Sequence, residues 1–133
     1  MRERACYLNG GMSDNRTPTA CRIENGQIDG AAMIVIDGEL DLASAPQLTD
    51  TITGLSELSE PVVLDLSSVT FVDSSGVRAL LDAQRIAAEK GRKLAIFRPG
   101  VAVTRLLDLV DLRSRFTEVE SVEIDTLRAL QTV

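Results

Sequence analysis

The sequence predicts an α/β fold: a mixed, mostly parallel sheet of four or five strands, about four helices, and an N-terminal hairpin at the sheet edge. Three observations carry this. Short β-branched apolar runs alternate with stretches of helical periodicity, and such alternation demands crossover connections and parallel neighbours. The pair Asn25-Gly26, between two early strand-like runs, signals a hairpin. The 133 residues suit one domain, large enough to bury ~65–70% of its unfolded surface.

The first eighteen residues are polar and broken by Gly10-Gly11, Asn15 and Pro18. They read as a disordered arm ahead of a domain spanning 19–133, and Met12 is a candidate alternative start. The first strand is expected over Ala20–Glu24, turning at Asn25-Gly26. The second covers Ala32–Ile36 and leads into Asp37-Gly38-Glu39-Leu40-Asp41, through a connection longer than the tightest hairpin.

Ser44-Ala45-Pro46-Gln47 has the form of a capping box, with proline tolerated in the first turn. Leu48, Ile52 and Leu55 then repeat on one helix face. Pro61 opens a buried strand through Leu66, where its missing N–H does least harm. A helix follows from about Val77, with Val77, Leu80, Leu81, Gln84, Ala87 and Ala88 inward and Arg78, Asp82, Arg85 and Glu89 outside. Gly91 is its expected C-cap, with Lys90, Arg92 and Lys93 at the negative end of its dipole. Leu94–Phe97 is a short buried strand closed by Pro99-Gly100. Val103, Leu106, Leu107 and Val110 form the third helix face, a weak strand lies near Arg115–Val119, and 124–133 makes a terminal helix.

Composition excludes whole function classes. The chain has no histidine, which removes Ser-His-Asp and Cys-His catalysis, phosphohistidine relays and nearly every zinc-enzyme site. Its net charge is −6, and the excess of acid lies wholly beyond residue 30. A body of that sign repels phosphate backbones, so direct nucleic-acid binding is not expected, whereas a basic protein surface is a natural partner. Aromatics make up only 3%, which leaves few stacking platforms for bases. Cys6 and Cys21 read as reduced thiols outside any disulfide. No signal peptide or membrane-spanning run is evident, so a cytoplasmic location without membrane contact is expected.

Between the Pro61–Leu66 strand and the following helix lies Asp73-Ser74-Ser75-Gly76. A local reading suffices for these residues: Asp73 or Ser74 caps the helix, and Gly76 relieves crowding against the strand. A functional reading begins with what a cap leaves over. Ser75 then has a hydroxyl in the first turn, where a phosphate meets free N–H groups and the positive end of the dipole. Modification there changes a surface, adding about −1.5 to −2 charges, and does not unfold the helix.

Three segments together resemble a known family. Val62–Leu81 (VVLDLSSVTFVDSSGVRALL), Asp37–Leu48 (DGELDLASAPQL) and Gly91–Leu109 (GRKLAIFRPGVAVTRLLDL) are similar to recurrent segments of the STAS domain. In particular they resemble those of bacterial anti-sigma-factor antagonists, over about residues 20–133. The resemblance implies a single STAS-type domain, without enzymatic activity or cofactor, that switches partners. It assigns to Ser75 phosphorylation by an anti-sigma factor that is also a serine kinase. The unmodified form would bind that partner and release the sigma factor, regulating transcription indirectly. Phosphorylation would end the binding, and a serine phosphatase would restore it. Asp73, Ser74 and Gly76 are the matching neighbours of Ser75. Glu39, Asp41 and Ser44 are expected at the same sheet end, lining the partner surface. Arg78 is expected either in solvent, on the partner or near the phosphate. A monomer or weak dimer is expected, without bound metal.

Other readings use the same residues. STAS domains also serve in stress-sensing assemblies and lipid-transport complexes. A receiver domain with Asp65 as phosphoacceptor needs an acidic pair and a lysine at a strand end, and neither Glu39/Asp41 nor Lys93 fits. A hydrolase is disfavoured because D-S-S-G is not the G-x-S-x-G elbow. A P-loop is absent, so any ATP would arrive on the partner.

Overall fold

The computed structural model describes residues 3–7, 21–28, 30–56 and 60–131. Along the chain these form β1 (Glu3–Tyr7), β2 (Arg22–Ile28), β3 (Ala31–Leu40), α1 (Ala45–Thr53), β4 (Val62–Val72) and α2 (Ser74–Glu89). Then come β5 (Leu94–Phe97), α3 (Val101–Leu109), a 3₁₀ turn at Arg113–Arg115, β6 (Thr117–Val119) and α4 (Ile124–Gln131). The six strands lie in the sheet in chain order. β1, β2 and β3 pair antiparallel, and β3 through β6 pair parallel.

Chain-order parallel strands joined by right-handed crossovers send each connecting helix to the same face. Accordingly α1, α2 and α3 share one core: Leu48 and Ile52, then Val77, Leu80 and Ala83, then Val103 and Leu107. They cover Ile34, Ile36, Leu64, Leu66 and Ile96 of the sheet. After the last strand α4 crosses to the opposite face, where Leu127 packs with Ala31, Val63, Ala95, Phe97 and Val119. The period of two along a strand divides the faces, so Leu64 and Ile96 point one way and Val63 and Ala95 the other. Fully burying each large aliphatic side chain is worth roughly 1.5–3 kcal/mol.

Several expectations need correction. Glu3–Tyr7 is no disordered arm: it pairs with β2, Tyr7 opposite Arg22, and residues 8–20, including Met12, lie outside the described residues. An exposed edge supplies backbone partners that local composition does not advertise. The hairpin does not turn at Asn25-Gly26, which lies within β2 opposite Ile34 and Met33. Ile28 pairs with Ala31, so the connection is the shortest type, with Gly30 at φ 88°. The α2 helix begins at Ser74, earlier than Val77, while its end is closed as expected by Gly91, at φ 77° just after Lys90. Ala88 and Val110 are exposed, and the strand expected from Arg115 shrinks to Thr117–Val119.

The turn after α3 has no glycine, yet its backbone needs a left-handed residue. Asp111 takes that place at φ 60°. The Leu112 amide donates to Leu107 O (2.9 Å) and the Asp111 amide to Asp108 O (3.1 Å), which closes the helix as a glycine would. Aspartate is one of the few side chains that tolerates this conformation.

Arg92 is the largest departure from a surface reading. It is 3% exposed and does not sit in solvent at the end of α2. Its Nε donates to Glu60 O (2.8 Å) and its Nη1 to Ser56 O (2.9 Å), fastening the segment between α1 and β4. Burial lowers its pKa from the ordinary arginine value, and the Glu60 charge opposes that shift. We expect Arg92→Met to cost about 2–4 kcal/mol in urea denaturation, because two inward carbonyls lose a charged donor. Arg92→Lys should recover only part, since an ammonium does not present a fork. An unchanged unfolding midpoint in both variants would refute the role.

Candidate functional site

The polar end of the sheet is built by an irregularity in β4. Val35 pairs with Asp65 and Asp37 with Ser68, then Gly38 with Val69 and Glu39 with Phe71. At each of these steps β4 advances one residue more than β3, so it carries two bulges. Inward positions therefore shift from Val62, Leu64 and Leu66 to Val69 and Val72. The simple alternation stops at Leu66, which is why the strand reads as ending there. It runs on to Val72.

β5 pairs with β4 only from Val62 to Asp65. Beyond that level β2 still flanks β3 as far as Asp37, which faces Ser68, and only Gly38–Leu40 with Val69–Val72 continues as a two-stranded ribbon, roughly 13 Å long. The Asp73–Gly76 segment sits at its tip, where β4 hands over to α2.

The tip is fixed by three contacts. Asp73 is the N-cap of α2, in extended conformation, and its Oδ1 accepts from the Gly76 amide at 3.0 Å. The Asp73 amide donates to Leu40 O at 3.3 Å, tying the helix start to the end of β3. Gly76 fills the remaining space: a Cβ there would lie 2.2 Å from Leu40 O and 2.6 Å from Val72 Cγ2. The carboxylate of Asp73, and neither serine, therefore does the capping. Ser74 is exposed and Ser75 half-buried, and neither hydroxyl is committed to a described residue.

Beside this tip the turn 41–44 closes on itself. Asp41 Oδ1 accepts from the Ala43 amide (3.1 Å) and the Ser44 amide (3.2 Å). Ser44 departs from expectation: it makes no side-chain cap of α1, so the capping box with Gln47 does not form. Its Oγ donates to Glu39 O (2.7 Å) and accepts from the Asp41 amide (3.0 Å), and the residue is only 2% exposed. Ser44 and the buried Gly76 thus shape the tip from within. Glu39, Asp41, Asp73, Ser74, Ser75 and Arg78 remain at least partly accessible around it.

Two residues of the tip were not singled out from sequence. Leu42 is 74% exposed in the turn, and Phe71 is 48% exposed on the last stretch of β4. Large apolar side chains are exposed on α3 as well, at Val101 and Leu109, and at its C-cap Val110. The signal for Phe71 lay in the broken alternation after Leu66, which places it out of the core.

Asp65 lies elsewhere. It stands mid-strand, where its Oδ1 accepts from the Ser67 amide (3.0 Å) and hydroxyl (2.7 Å). Among the described residues no cluster of three His, Cys, Asp or Glu side chains is suited to a metal ion. No described helix is long and apolar enough to cross a membrane.

Comparison with known proteins agrees with this architecture. The STAS domain model matches residues 22–125, from β2 into α4, which leaves β1 outside the match. An anti-sigma F factor antagonist of Paenibacillus polymyxa is 28% identical over 116 residues, covering 84% of this chain and 97% of that protein. An anti-sigma-B factor antagonist of Bacillus subtilis (strain 168) is 25% identical over 87 residues, 65% of this chain and 80% of its own. The crystal structure of an anti-sigma factor antagonist from Mycobacterium paratuberculosis superposes with a TM-score of 0.70 at 26% identity, covering 86% of this chain and 97% of that one.

The close approach at Gly76 is open to a direct test. Gly76→Ala should destabilise the chain by about 1–3 kcal/mol, because the added methyl meets backbone and cannot be relieved by a rotamer. Thermal denaturation measures the loss, and amide shifts at Leu40 and Asp73 should move with it. Wild-type stability would mean that α2 stands farther from β3 than described.

Proposed function

The chain belongs to the STAS-domain family, and we propose that it is an anti-sigma factor antagonist switched by phosphorylation of Ser75. The observation that carries this reading is the division of labour at the start of α2. Asp73 caps the helix, which leaves the Ser75 hydroxyl uncommitted where β4 hands over to α2. The relatives named for anti-sigma factor antagonism, which match nearly the whole chain, support the same reading.

In this mechanism the unmodified tip binds an anti-sigma factor that is also a serine kinase, and the sigma factor is released. Glu39, Asp41 and Asp73 give the contact an acidic rim, with Ser74 and Arg78 beside it. Leu42 and Phe71 supply apolar anchors, and Ser44 and Gly76 hold the rim in shape. The partner brings ATP. Ser75 Oγ attacks the γ-phosphorus, its bond to phosphorus forms as the bond to ADP breaks, and a base on the kinase takes the hydroxyl proton. The product carries about two further negative charges and three phosphoryl oxygens where the partner had fitted a neutral hydroxyl, so the bulk and desolvation cost of the phosphate oppose that fit. A serine phosphatase hydrolyses the ester and restores binding. The helix itself tolerates the phosphate, because its first-turn amides and dipole favour an anion. The protein then acts in the cytoplasm, without touching DNA, as a monomer or weak dimer.

Purified protein with its cognate kinase and ATP should gain one phosphate, on Ser75 by peptide mass mapping. Ser75→Ala should abolish the gain and keep partner binding, while Ser75→Glu should weaken binding at least ~tenfold with little change in thermal stability. Phosphate found only on Ser67 or Ser68, or tight binding by the fully phosphorylated protein, would overturn the mechanism.

The apolar anchors make a separate prediction. Leu42→Ser should cost about 1–3 kcal/mol of partner binding by calorimetry and leave folding stability within about 0.5 kcal/mol. Unaltered affinity would place the contact elsewhere.

A further inference from the structure

Among the residues at the tip, one cation has no partner. Arg78 is exposed, three residues after Ser75 on α2, and makes no hydrogen bond or ion pair with a described residue. Arg105 of α3 is likewise exposed and unpaired among the described residues, so what distinguishes Arg78 is its place beside Ser75. Arg85, two turns further along, is held by Glu89 (3.1 Å) and Asp82 (3.6 Å). Arg113 is held by Glu118 (2.8 Å) and Asp108 (3.2 Å), and Arg92 is buried on two carbonyls. Asp82, four residues beyond Arg78, is the nearest acid on its helix, but it is engaged by Arg85.

We propose that Arg78 is the intramolecular ion-pair partner of a phosphate on Ser75, and that modification turns its guanidinium from solvent onto that phosphate. This rests on Ser75 being the modified hydroxyl. The spacing suits it: side chains three apart on a helix have Cβ atoms roughly 5–6 Å from each other, and an anion N-terminal to a cation is the favoured order. A guanidinium grips phosphate oxygens through two parallel donors. The need is plain as well. The tip holds Glu39 on β3, Asp41 in its turn and Asp73 at the cap, and α1, packed on α2, adds only Asp50. In the segments 39–44 and 71–78 Arg78 is the only basic residue. A phosphate dianion set beside those carboxylates is repelled by each of them, and Arg78 is the basic residue of these segments that can offset this. The phosphorylated state then differs from the free one by more than added charge, because a cation offered to the partner is withdrawn as the anion appears.

The test uses the full chain with phosphoserine installed genetically at position 75, so that it does not depend on any kinase. The second phosphate pKa is followed by ³¹P NMR titration in wild type, Arg78→Gln and Arg78→Lys. A paired cation favours the dianion and lowers this pKa, so Arg78→Gln should raise it by about 0.5 units, and Arg78→Lys should return part of the shift. The difference should shrink in 1 M salt, where the Debye length falls to about 3 Å. A phosphate pKa in Arg78→Gln equal to that of wild type overturns the proposal. So does a shift that lysine does not restore at all, which would report a structural disturbance. Failure of the underlying reading shows separately: phosphoserine at 75 would then leave affinity for the anti-sigma partner unchanged, whatever the titration gives.

Discussion

The approach of α2 to the end of β3 is the contact on which the rest of the site depends. With glycine at position 76 the first turn of the helix lies against Leu40 O and Val72 Cγ2 at a distance no Cβ allows. The helix start is then locked at both ends of a short path, through the Asp73 amide to Leu40 and through the Asp73 carboxylate back to Gly76. A loop held by backbone contacts on each side does not need its serine side chains for support. That is why Ser74 and Ser75 are left over.

The same lock explains how modification of the tip can act without disturbing the fold. Ser44, Asp41 and Glu39 bond among themselves on the neighbouring strand end, so the surface beside Ser75 is preformed. Two bulges in β4 twist the ribbon and carry this surface beyond the level where β5 stops. They also make its outer edge a poor template for strand addition. On the proposed reading, a charge added there changes what can approach the tip, which lies outside the core closed by Leu64, Leu80 and Ile96.

Much of this was legible from residue patterns alone. Leu48 and Ile52 marked α1, although Leu55 falls beyond its end at Thr53, and Leu94–Phe97 marked β5 to the residue, because both segments have one simple period. The acid followed by two hydroxyls left one serine over from the cap, and the choice of Ser75 as the modified one rests on the family resemblance. The misses share a cause. Leu66 seemed to end a strand because bulges break the period of two, and bulges are set by the partner strand. Asn25-Gly26 seemed to be the turn because local turn chemistry was strong there, yet pairing over all of β2 favoured the later turn at Gly30.

The sequence by itself determined the alternation of strands and helices, the aliphatic core, the acidic body without histidine, and the capped serine pair. Each of these is a property of neighbouring residues or of the whole composition. Only the tertiary structure decided that Asp73 is the cap, that Ser44 is inside, that Arg92 is buried on the Ser56 and Glu60 carbonyls, and that Leu42 and Phe71 face outward. Those outcomes depend on which groups from distant parts of the chain arrive within a few ångströms, where hydrogen bonds and close contacts are won or lost. No local pattern carries that information.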